Sequence, residues 1–551
     1  MQIAIAQITT DPGKTDSNTK KIIAAIERAR AQKCSVVVFP ELALSGYGSM
    51  DLFHRADFIN ENAAALEIIR QNSQNIAVIV GFPELADHSK RAGARPLLYN
   101  SAALIHDQKI VGIQAKQLLP NYEIFSEERY FVSGKSSQIF NLLGRKIGIQ
   151  ICEDLWDAEY ENKVSRSLIT QGAEIIFNLS ASPFEPGKFA ARSERIAALY
   201  REQKFKGHFV YANLVGSFDG FVGEVVFDGR STVHDANGNL VALGKSFGED
   251  FIVFDLDSEK AKGSSPALTV EIDPVEETYQ ALVLGVREFF RRLSMKKAFI
   301  GLSGGIDSAV VAALAVEALG KDNVVGVTMP SKITSAETKD DALLVAKNLG
   351  IRCDVRPIAE ELEAWKKSFV AAMGKEPQGL TVQNKQARIR GAIMMEYSNE
   401  VAGGLVLTTG NKTELATGYC TLYGDMCGAL AVIGDVSKLR VYEVARFINL
   451  KAGKEVIPGS TIERVPTAEL AEGQEDRQNL PADYPVLSPL LERIVEEIGE
   501  SSELNKSYDQ GLVEKVVGLV NRNEFKRRQA APGIRVSSHA FGVGRRIPMG
   551  A

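Results

Sequence analysis

One stretch just past the middle of the chain limits the folds open to it: Lys297-Ala298-Phe299-Ile300-Gly301-Leu302-Ser303-Gly304-Gly305-Ile306-Asp307-Ser308-Ala309-Val310-Val311. A short apolar run, enough for one buried strand, feeds a loop of small residues, and an Ala/Val/Leu pattern at helical spacing follows at once. Strand, phosphate loop and helix in that order call for a parallel sheet with ligands at the strand ends. Gly304 and Gly305 are expected to take positive φ and let the backbone approach an anion, while Ser303 and Ser308 offer hydroxyls to phosphate oxygens. The helix start adds free N–H groups and a positive dipole end. Asp307 is repelled by a polyphosphate unless a divalent cation lies between them, so it reads as a magnesium ligand. The Gly-Lys-Ser/Thr ending of a Walker A loop is missing, which disfavours transfer of a γ-phosphate. Taken alone, the stretch also fits a small-residue turn capped by Asp307 or Ser308.

The rest of the chain sets the frame. Its 551 residues accommodate about two to four domains, and 45% hydrophobic with 24% charged residues is ordinary for a globular protein. A net charge of -5 gives no electrostatic case for general nucleic-acid binding, so any basic site must be local. Cys34, Cys152, Cys353, Cys420 and Cys427 are scattered, odd in number and without a Cys-x-x-Cys pair; they read as reduced thiols, which points to a cytoplasmic protein. The N-terminus has no basic leader, and nowhere do about 18 apolar residues run together, so neither secretion nor membrane insertion is expected.

In the first half, strands are expected at 3–6, 35–41, 77–80, 100–106, 146–151, 173–179 and 251–257, and an amphipathic helix at 18–32. This is an α/β domain over 1–257, closed by a polar Gly/Ser/Pro linker at 258–274. Glu41 falls at a strand end stopped by Pro40, and Cys152 at a sharp turn followed by Glu153 and Asp154. A thiol must be deprotonated to attack, so Cys152 needs a base and gains from a cation; Glu41 and Lys116 could supply them. Each also has a plainer reading, as a core cysteine, a strand-terminal acid and a surface lysine.

In the second half, over 275–551, helices at 276–293 and 335–349 alternate with strands at 297–301, 324–329 and 405–409, the pattern of a doubly wound parallel sheet. A basic stretch, Gln383-Asn384-Lys385-Gln386-Ala387-Arg388-Ile389-Arg390, opens a further helix. Gly410-Asn411-Lys412-Thr413-Glu414, Asp425, Gly434-Asp435-Val436-Ser437-Lys438 and Pro466-Thr467-Ala468-Glu469-Leu470 crowd small, hydroxyl and charged residues outside regular periodicity, which indicates a site.

Three resemblances rest on these words. Ser-Gly-Gly-Ile-Asp-Ser resembles the ATP pyrophosphatase (PP-loop) superfamily, which implies cleavage of ATP between the α and β phosphates and adenylation of an oxygen. Phe39-Pro40-Glu41-Leu42, Lys116 ahead of Leu119-Pro120-Asn121-Tyr122 with Glu127, Arg129, Tyr130 and Phe131 beyond, and Ile151-Cys152-Glu153-Asp154-Leu155-Trp156 resemble the nitrilase family, most narrowly its glutaminases. That resemblance implies an α-β-β-α sandwich in which Glu41 is the base, Cys152 the nucleophile and Lys116 the support of an oxyanion. Tyr122, Ser182 and Lys188 would hold glutamine's amino-acid end, and Glu123 would assist the triad or orient Lys116.

The whole order of words is similar to the glutamine-dependent NAD synthetases, a nitrilase-like sandwich followed by a PP-loop domain of the adenine nucleotide α-hydrolase-like type. What this implies is an amidotransferase that makes NAD from deamido-NAD, with ATP as co-substrate, magnesium, and ammonia passed internally from glutamine. Gly301 to Ser308, Thr409 and Lys438 would bind ATP, and Asn384, Arg388, Glu414 and Lys526 deamido-NAD or its phosphates. Glu414 would share magnesium with Asp307, and Asp425 would sit by the reacting carboxylate. A homo-oligomer is expected, with no nucleic acid and no membrane as partners. Leu422 and Ile433-Gly434-Asp435-Val436 depart from family words. The basic tail around Lys526, Arg527, Arg528, Arg535, Arg545 and Arg546 reads as a dinucleotide phosphate site. An amidotransferase acting on another adenylated acceptor is the alternative.

Overall fold

A computed structural model describes residues 1–87, 97–220, 223–262, 272–471, 473–496, 501–542 and 544–550. The chain divides into two compact units, Met1–Gly220 with Val225–Ile272, and Phe221–Glu224 with Asp273–Ala551.

Unit 1 is built on two sheets. Strands β1 (Gln2–Gln7), β2 (Val36–Val38), β3 (Ala77–Asp87), β4 (Leu97–His106) and β5 (Lys109–Ala115) form one of them. β6 (Ile139–Leu142), β7 (Arg145–Ile151), β8 (Ile175–Ser180) and β9 (His208–Asn213) form most of the other. After β10 (Val215–Asp219) and β11 (Gly223–Asp228), β12 (Thr232–His234) and β13 (Leu240–Leu243) complete the second sheet. β14 (Asp250–Asp255) and β15 (Lys260–Lys262) return to the first, so sheet structure runs into the segment expected to be a linker. Most of that segment, 263–271, lies outside the described residues.

Period-two alternation decides which side chain faces which layer. Ile3, Ile5, Val36, Val38 and Ile79 from the first sheet meet Ile147, Ile149, Phe177 and Val210 from the second in one core. Their neighbours Ala4, Ala6, Val37 and Val78 turn the other way, against Ile22 and Ile26 of helix α1 (Thr15–Ala31) and Leu66 and Ile69 of α2 (Ala56–Gln71). Ile176, Phe209 and Tyr211 turn likewise toward α3 (Val164–Thr170) and α4 (Lys188–Arg201). Helix, sheet, sheet, helix is the resulting order. The strand expected at 35–41 is shorter, Val36–Val38, because Pro40 cannot donate to a ladder.

Unit 2 carries β16 (Lys297–Gly301), β17 (Val324–Thr328), β18 (Arg352–Val355), β19 (Gly404–Thr408), β20 (Leu430–Ala431) and β21 (Gly533–Arg535). They lie in the order β21-β20-β19-β16-β17-β18, all parallel. The first strand is central, and the chain leaves it toward β17 and later returns to β19 on its other side. That switch point opens a crevice at the C-terminal ends of β16 and β19. Helices α5 (Pro274–Arg292), α6 (Ile306–Leu319), α7 (Ala336–Leu349), α8 (Ala359–Met373), α9 (Leu380–Glu400), α10 (Lys412–Thr417) and α11 (Lys438–Ala452) complete the layers. α6 is apolar all round and packs between α5 and α11.

Candidate active sites

In unit 1, three strand ends bring charge into a dry place. Lys116, directly after β5, is fully buried. Its ammonium donates to Glu41 Oε1 at 2.7 Å and to both oxygens of Glu127 at 2.8 and 2.9 Å. Glu41 also accepts from Asn100 Nδ2 at 2.8 Å and from the Ala181 amide at 3.0 Å. Burial alone would drive Lys116 toward neutrality, but Glu127 and Glu41 outweigh it and hold its pKa up. Burial pushes Glu127 up to about 7 against the pull of Lys116.

Cys152 follows β7 directly and heads a one-turn helix with φ 43, a left-handed conformation that breaks the strand run. Burial first, then Glu41, push its thiol up, while Lys116 pulls it down. The thiol is therefore held protonated, with Glu41 and Lys116 both within electrostatic reach. Asp154 fixes the arrangement: its carboxylate accepts from the Ile151 amide at 3.0 Å and from the Gln117 and Leu118 amides at 2.9 Å each. The second carboxylate on the lysine is that of Glu127. Residues 127–129 form a single helical turn that brings Glu127 back onto Lys116, a return that spacing along the chain does not reveal.

Of the three residues expected to hold glutamine, Tyr122 and Lys188 lie against the Cys152 turn. The Tyr122 hydroxyl donates to Glu153 at 3.1 Å. Lys188, the first residue of α4, pairs with Glu185 at 2.9 Å and stands 5.1 Å from the Trp156 ring. Ser182 follows Ala181, whose amide binds Glu41, and is itself tied by its amide to Asn213.

In unit 2 a cavity of 320 Å³ opens at the C-terminal ends of β16 and β19. Gly301, Leu302, Ser303, Gly305, Ile306, Asp307 and Ser308 line it with Thr409, Glu414, Asp425 and Lys438. The loop is braced by its own hydroxyls. Ser303 Oγ accepts from the Gly305 amide at 3.2 Å and meets Ser308 Oγ at 3.2 Å, and Ser308 donates to the Gly305 carbonyl at 2.9 Å. Gly304 takes φ 83, and a Cβ there would stand 2.1 Å from the Thr338 carbonyl oxygen. Gly305 does not share that conformation: it caps α6 at φ -83, where a helix N-cap requires extended backbone.

Asp307 accepts from Asn411 Nδ2 at 3.0 Å and is in a short ion pair with Lys438, whose ammonium lies 3.5 Å from Glu414. Glu414 is positioned by a capping box with Asn411 at the start of α10. Burial first, then Asp307, raise Glu414 to about 8. Among the described residues no cluster of three or more His, Cys, Asp or Glu could hold a metal unaided. Two hard carboxylates facing a cavity do suit magnesium, which is commonly bound through one or two carboxylates with phosphates supplying further oxygens.

Residues 2–263 match the carbon-nitrogen hydrolase family and residues 278–530 the NAD synthase family. A glutamine-dependent NAD(+) synthetase of Synechocystis sp. is 40% identical over 99% of this chain and 98% of its own length. One from Thermotoga maritima is 39% identical over 100% and 98%. The chain belongs to the glutamine-dependent NAD(+) synthetases. A solved structure of such a synthetase from Acinetobacter baumannii, in complex with adenosine diphosphate, superimposes with a TM-score of 0.76 at 35% identity, covering 100% of this chain and 98% of that one.

Within this synthetase fold, the remaining expected residues cluster beside the cavity and not on its lining. Lys526 donates to the carbonyls of Gly418 and Cys420 at 2.8 and 2.9 Å, Arg388 to that of Leu422 at 3.1 Å, and Asn384 accepts from Thr421 at 2.9 Å. All three thus hold the segment between α10 and Asp425. Asp425, raised to about 6 by burial, accepts from the Thr421 amide at 2.6 Å.

Two lining residues escape sequence reasoning. Arg390 shares a basic stretch with Arg388 but is two residues further along α9, on another face; it reaches the cavity and the Met329 carbonyl. Arg464 lines the cavity too, paired with Asp341. The basic tail is corrected in part. Arg527 is buried on the carbonyls of Leu415 and Ala416, closing the end of α10, and Arg535 binds the carbonyls of Ser537 and Ser538. Both guanidiniums therefore donate to backbone carbonyls of their own unit. Asp435, in one of the departing words, accepts from the Val536 and Ser537 amides and tethers the segment after β21.

No helix among the described residues is long and apolar enough to cross a membrane.

Proposed function

We propose that this chain makes NAD by amidating deamido-NAD with nitrogen taken from glutamine. At the first site the Cys152 thiol gives its proton to Glu41, and the sulphur attacks the side-chain amide carbon of glutamine while Lys116 faces the developing oxyanion. The proton passes to the leaving nitrogen, ammonia departs, and a γ-glutamyl thioester remains. Water, deprotonated by Glu41, attacks the thioester; glutamate leaves and the thiol is restored. Tyr122, Ser182 and Lys188 hold the amino-acid end of glutamine.

At the second site the pyridine carboxylate of deamido-NAD attacks the α-phosphorus of ATP and pyrophosphate leaves. Ammonia then attacks the adenylated carbonyl, and AMP leaves as the amide forms. The braced loop from Gly301 to Ser308, Thr409 and Lys438 hold the triphosphate, while Asn384, Arg388 and Lys526 order the segment against which the dinucleotide lies, with Asp425 near its carboxylate. Asp307 and Glu414 would hold magnesium, which when bound offsets charge on the phosphates. Ammonia freed into neutral water is mostly protonated and no longer nucleophilic, so an enclosed route between the sites belongs to the proposal. A homo-oligomer and a cytoplasmic setting complete it.

The observation that carries the reading is the wholly buried Glu41–Lys116 pair, 2.7 Å apart, beside the strained Cys152 turn. A chain that only bound nucleotide would gain nothing from such a dry charge pair. Incubation with ATP, magnesium and deamido-NAD, with glutamine or an ammonium salt as nitrogen source, should yield NAD and AMP in equal amounts from either. AMP without NAD would move the reading to another adenylated acceptor, and no AMP at all would sink it.

A further inference from the structure

Tyr47 is given no part in the chemistry above, yet its hydroxyl donates to Glu127 Oε1 at 2.7 Å, the oxygen that also accepts from Lys116 at 2.8 Å. The turn after Glu41 makes this possible. Leu42 takes φ 45, the Gly46 amide donates to the Leu42 carbonyl at 2.8 Å, and Gly46 takes φ 78 where a Cβ would stand 2.6 Å from Pro12 Cα. The chain thus folds back so that one loop presents Glu41 to Lys116 and Tyr47 to Glu127, the lysine's second carboxylate. The Tyr47 ring is wedged edge-on against Phe218 and Phe227, with centroids 5.8 and 6.2 Å away, which fixes where its oxygen points.

We infer that Tyr47 is a positioning residue for glutamine hydrolysis: its hydroxyl holds Glu127 on Lys116 as the anion, so that Lys116 stays shared between two carboxylates and Glu41 is left able to take the Cys152 proton. This rests on the glutaminase reading of the Cys152 site. One ammonium faces two glutamates. If Glu127 takes up a proton, Lys116 has Glu41 as its remaining carboxylate, and a carboxylate that carries the whole attraction of a buried ammonium is a poorer base. The titratable groups facing Glu127 are Lys116, Glu41, the Cys152 thiol, Tyr160 and Tyr47 itself. Burial raises Tyr47 far above its ordinary value, so its hydroxyl stays protonated and acts on Glu127 only as a donor.

Tyr47→Phe keeps the ring and its two aromatic contacts and removes one oxygen. In the full chain, glutamate release is followed against pH for wild type, Tyr47→Phe, Glu127→Gln and the double variant. For Tyr47→Phe we expect kcat near neutral pH to fall about tenfold with KM within about twofold, and the acid limb of the profile to move up by about one unit. In the Glu127→Gln background the same change should add nothing, because the oxygen acts through Glu127. A Tyr47→Phe profile that superimposes on wild type overturns the inference, as does an undiminished further loss in the Glu127→Gln background. A lowered unfolding midpoint with an unshifted profile would assign Tyr47 to packing alone. Wild type that releases no glutamate would instead overturn the glutaminase reading, and this inference with it.

Discussion

In both units a lysine stands between two carboxylates: Lys116 between Glu41 and Glu127, and Lys438 between Asp307 and Glu414. The residues are alike and their surroundings are not. The side chains of the first trio are 0%, 0% and 7% exposed, whereas Asp307 and Glu414 keep 17% and 18% on a cavity of 320 Å³. A closed trio has its partners fixed and dry before any substrate arrives, which suits proton transfer to and from an uncharged amide. An open trio holds an acid at about 8 beside a cavity, which suits a site completed by polyphosphate and metal. Two similar trios are thus set to different work by access to water.

The sharpest break between the two sites is expected in activity. Cys152→Ala should cut NAD formation from glutamine by at least about a thousandfold, since a nucleophile has no substitute, and leave formation from ammonium salts intact. Asp307→Ala should remove both to a similar extent. Loss of ammonium-driven synthesis in Cys152→Ala would mean that the sites are not separable.

Stability should separate them next. Lys116→Met strands two carboxylates out of water and is expected to destabilise unit 1 by about 3–5 kcal/mol. For Lys438→Met, with both acids partly wet, about 1–2 kcal/mol is expected after allowing for solvent screening. Denaturant unfolding with hydrogen exchange read separately in each unit gives both numbers, and equal losses would erase the distinction.

Within the open site, Gly304→Ala should cost about 1–3 kcal/mol and most of the synthetase activity, because positive φ and the Thr338 carbonyl both oppose a side chain. Gly305→Ala, in extended backbone with Ser303 Oγ at 3.3 Å, should cost under about 1 kcal/mol, as thermal unfolding of the two variants would reveal.

The smallest effect is a proton. Glu414 at about 8 is mostly protonated near neutrality, and a cation beside it lowers that value, so binding of magnesium and ATP should release up to about one proton. Calorimetry in buffers of different ionisation enthalpy would detect it, and Glu414→Gln should abolish it. The same raised value means that the folded form keeps a proton the unfolded chain has shed. This group's contribution to stability therefore declines as pH rises from about 4.5 to about 8, opposite to a salt-bridged carboxylate.

Much of this was legible in the sequence, and the parts that were not share a cause. Glu41 and Cys152 sit where expected strands stop, as alternation and Pro40 indicate, whereas Lys116 was marked by the Pro/Asn turn after it and the strand before it was not foreseen. Asp307 and Glu414 belong to helix starts, which carry capping signatures. Glu127 stood among the family words without a role, because its place on Lys116 depends on a tight turn between Tyr122 and Arg129. Gly305 looked like its neighbour Gly304 because composition does not say which of two glycines bends left and which caps a helix. Arg527 and Arg535 looked like phosphate ligands because a sequence shows charge but not the backbone carbonyls that charge will meet. Arg390 was separated from Arg388 only by helical phase.

The three amide bonds accepted by Asp154 join the residue before the nucleophile to the two residues after the lysine. Sulphur and ammonium hang from different sheets, yet a single carboxylate rivets their main chains together. A displacement of the lysine's loop is therefore passed to the main chain at the thiol through the Asp154 carboxylate. The separation of the two main chains is thus held by three hydrogen bonds to one buried side chain.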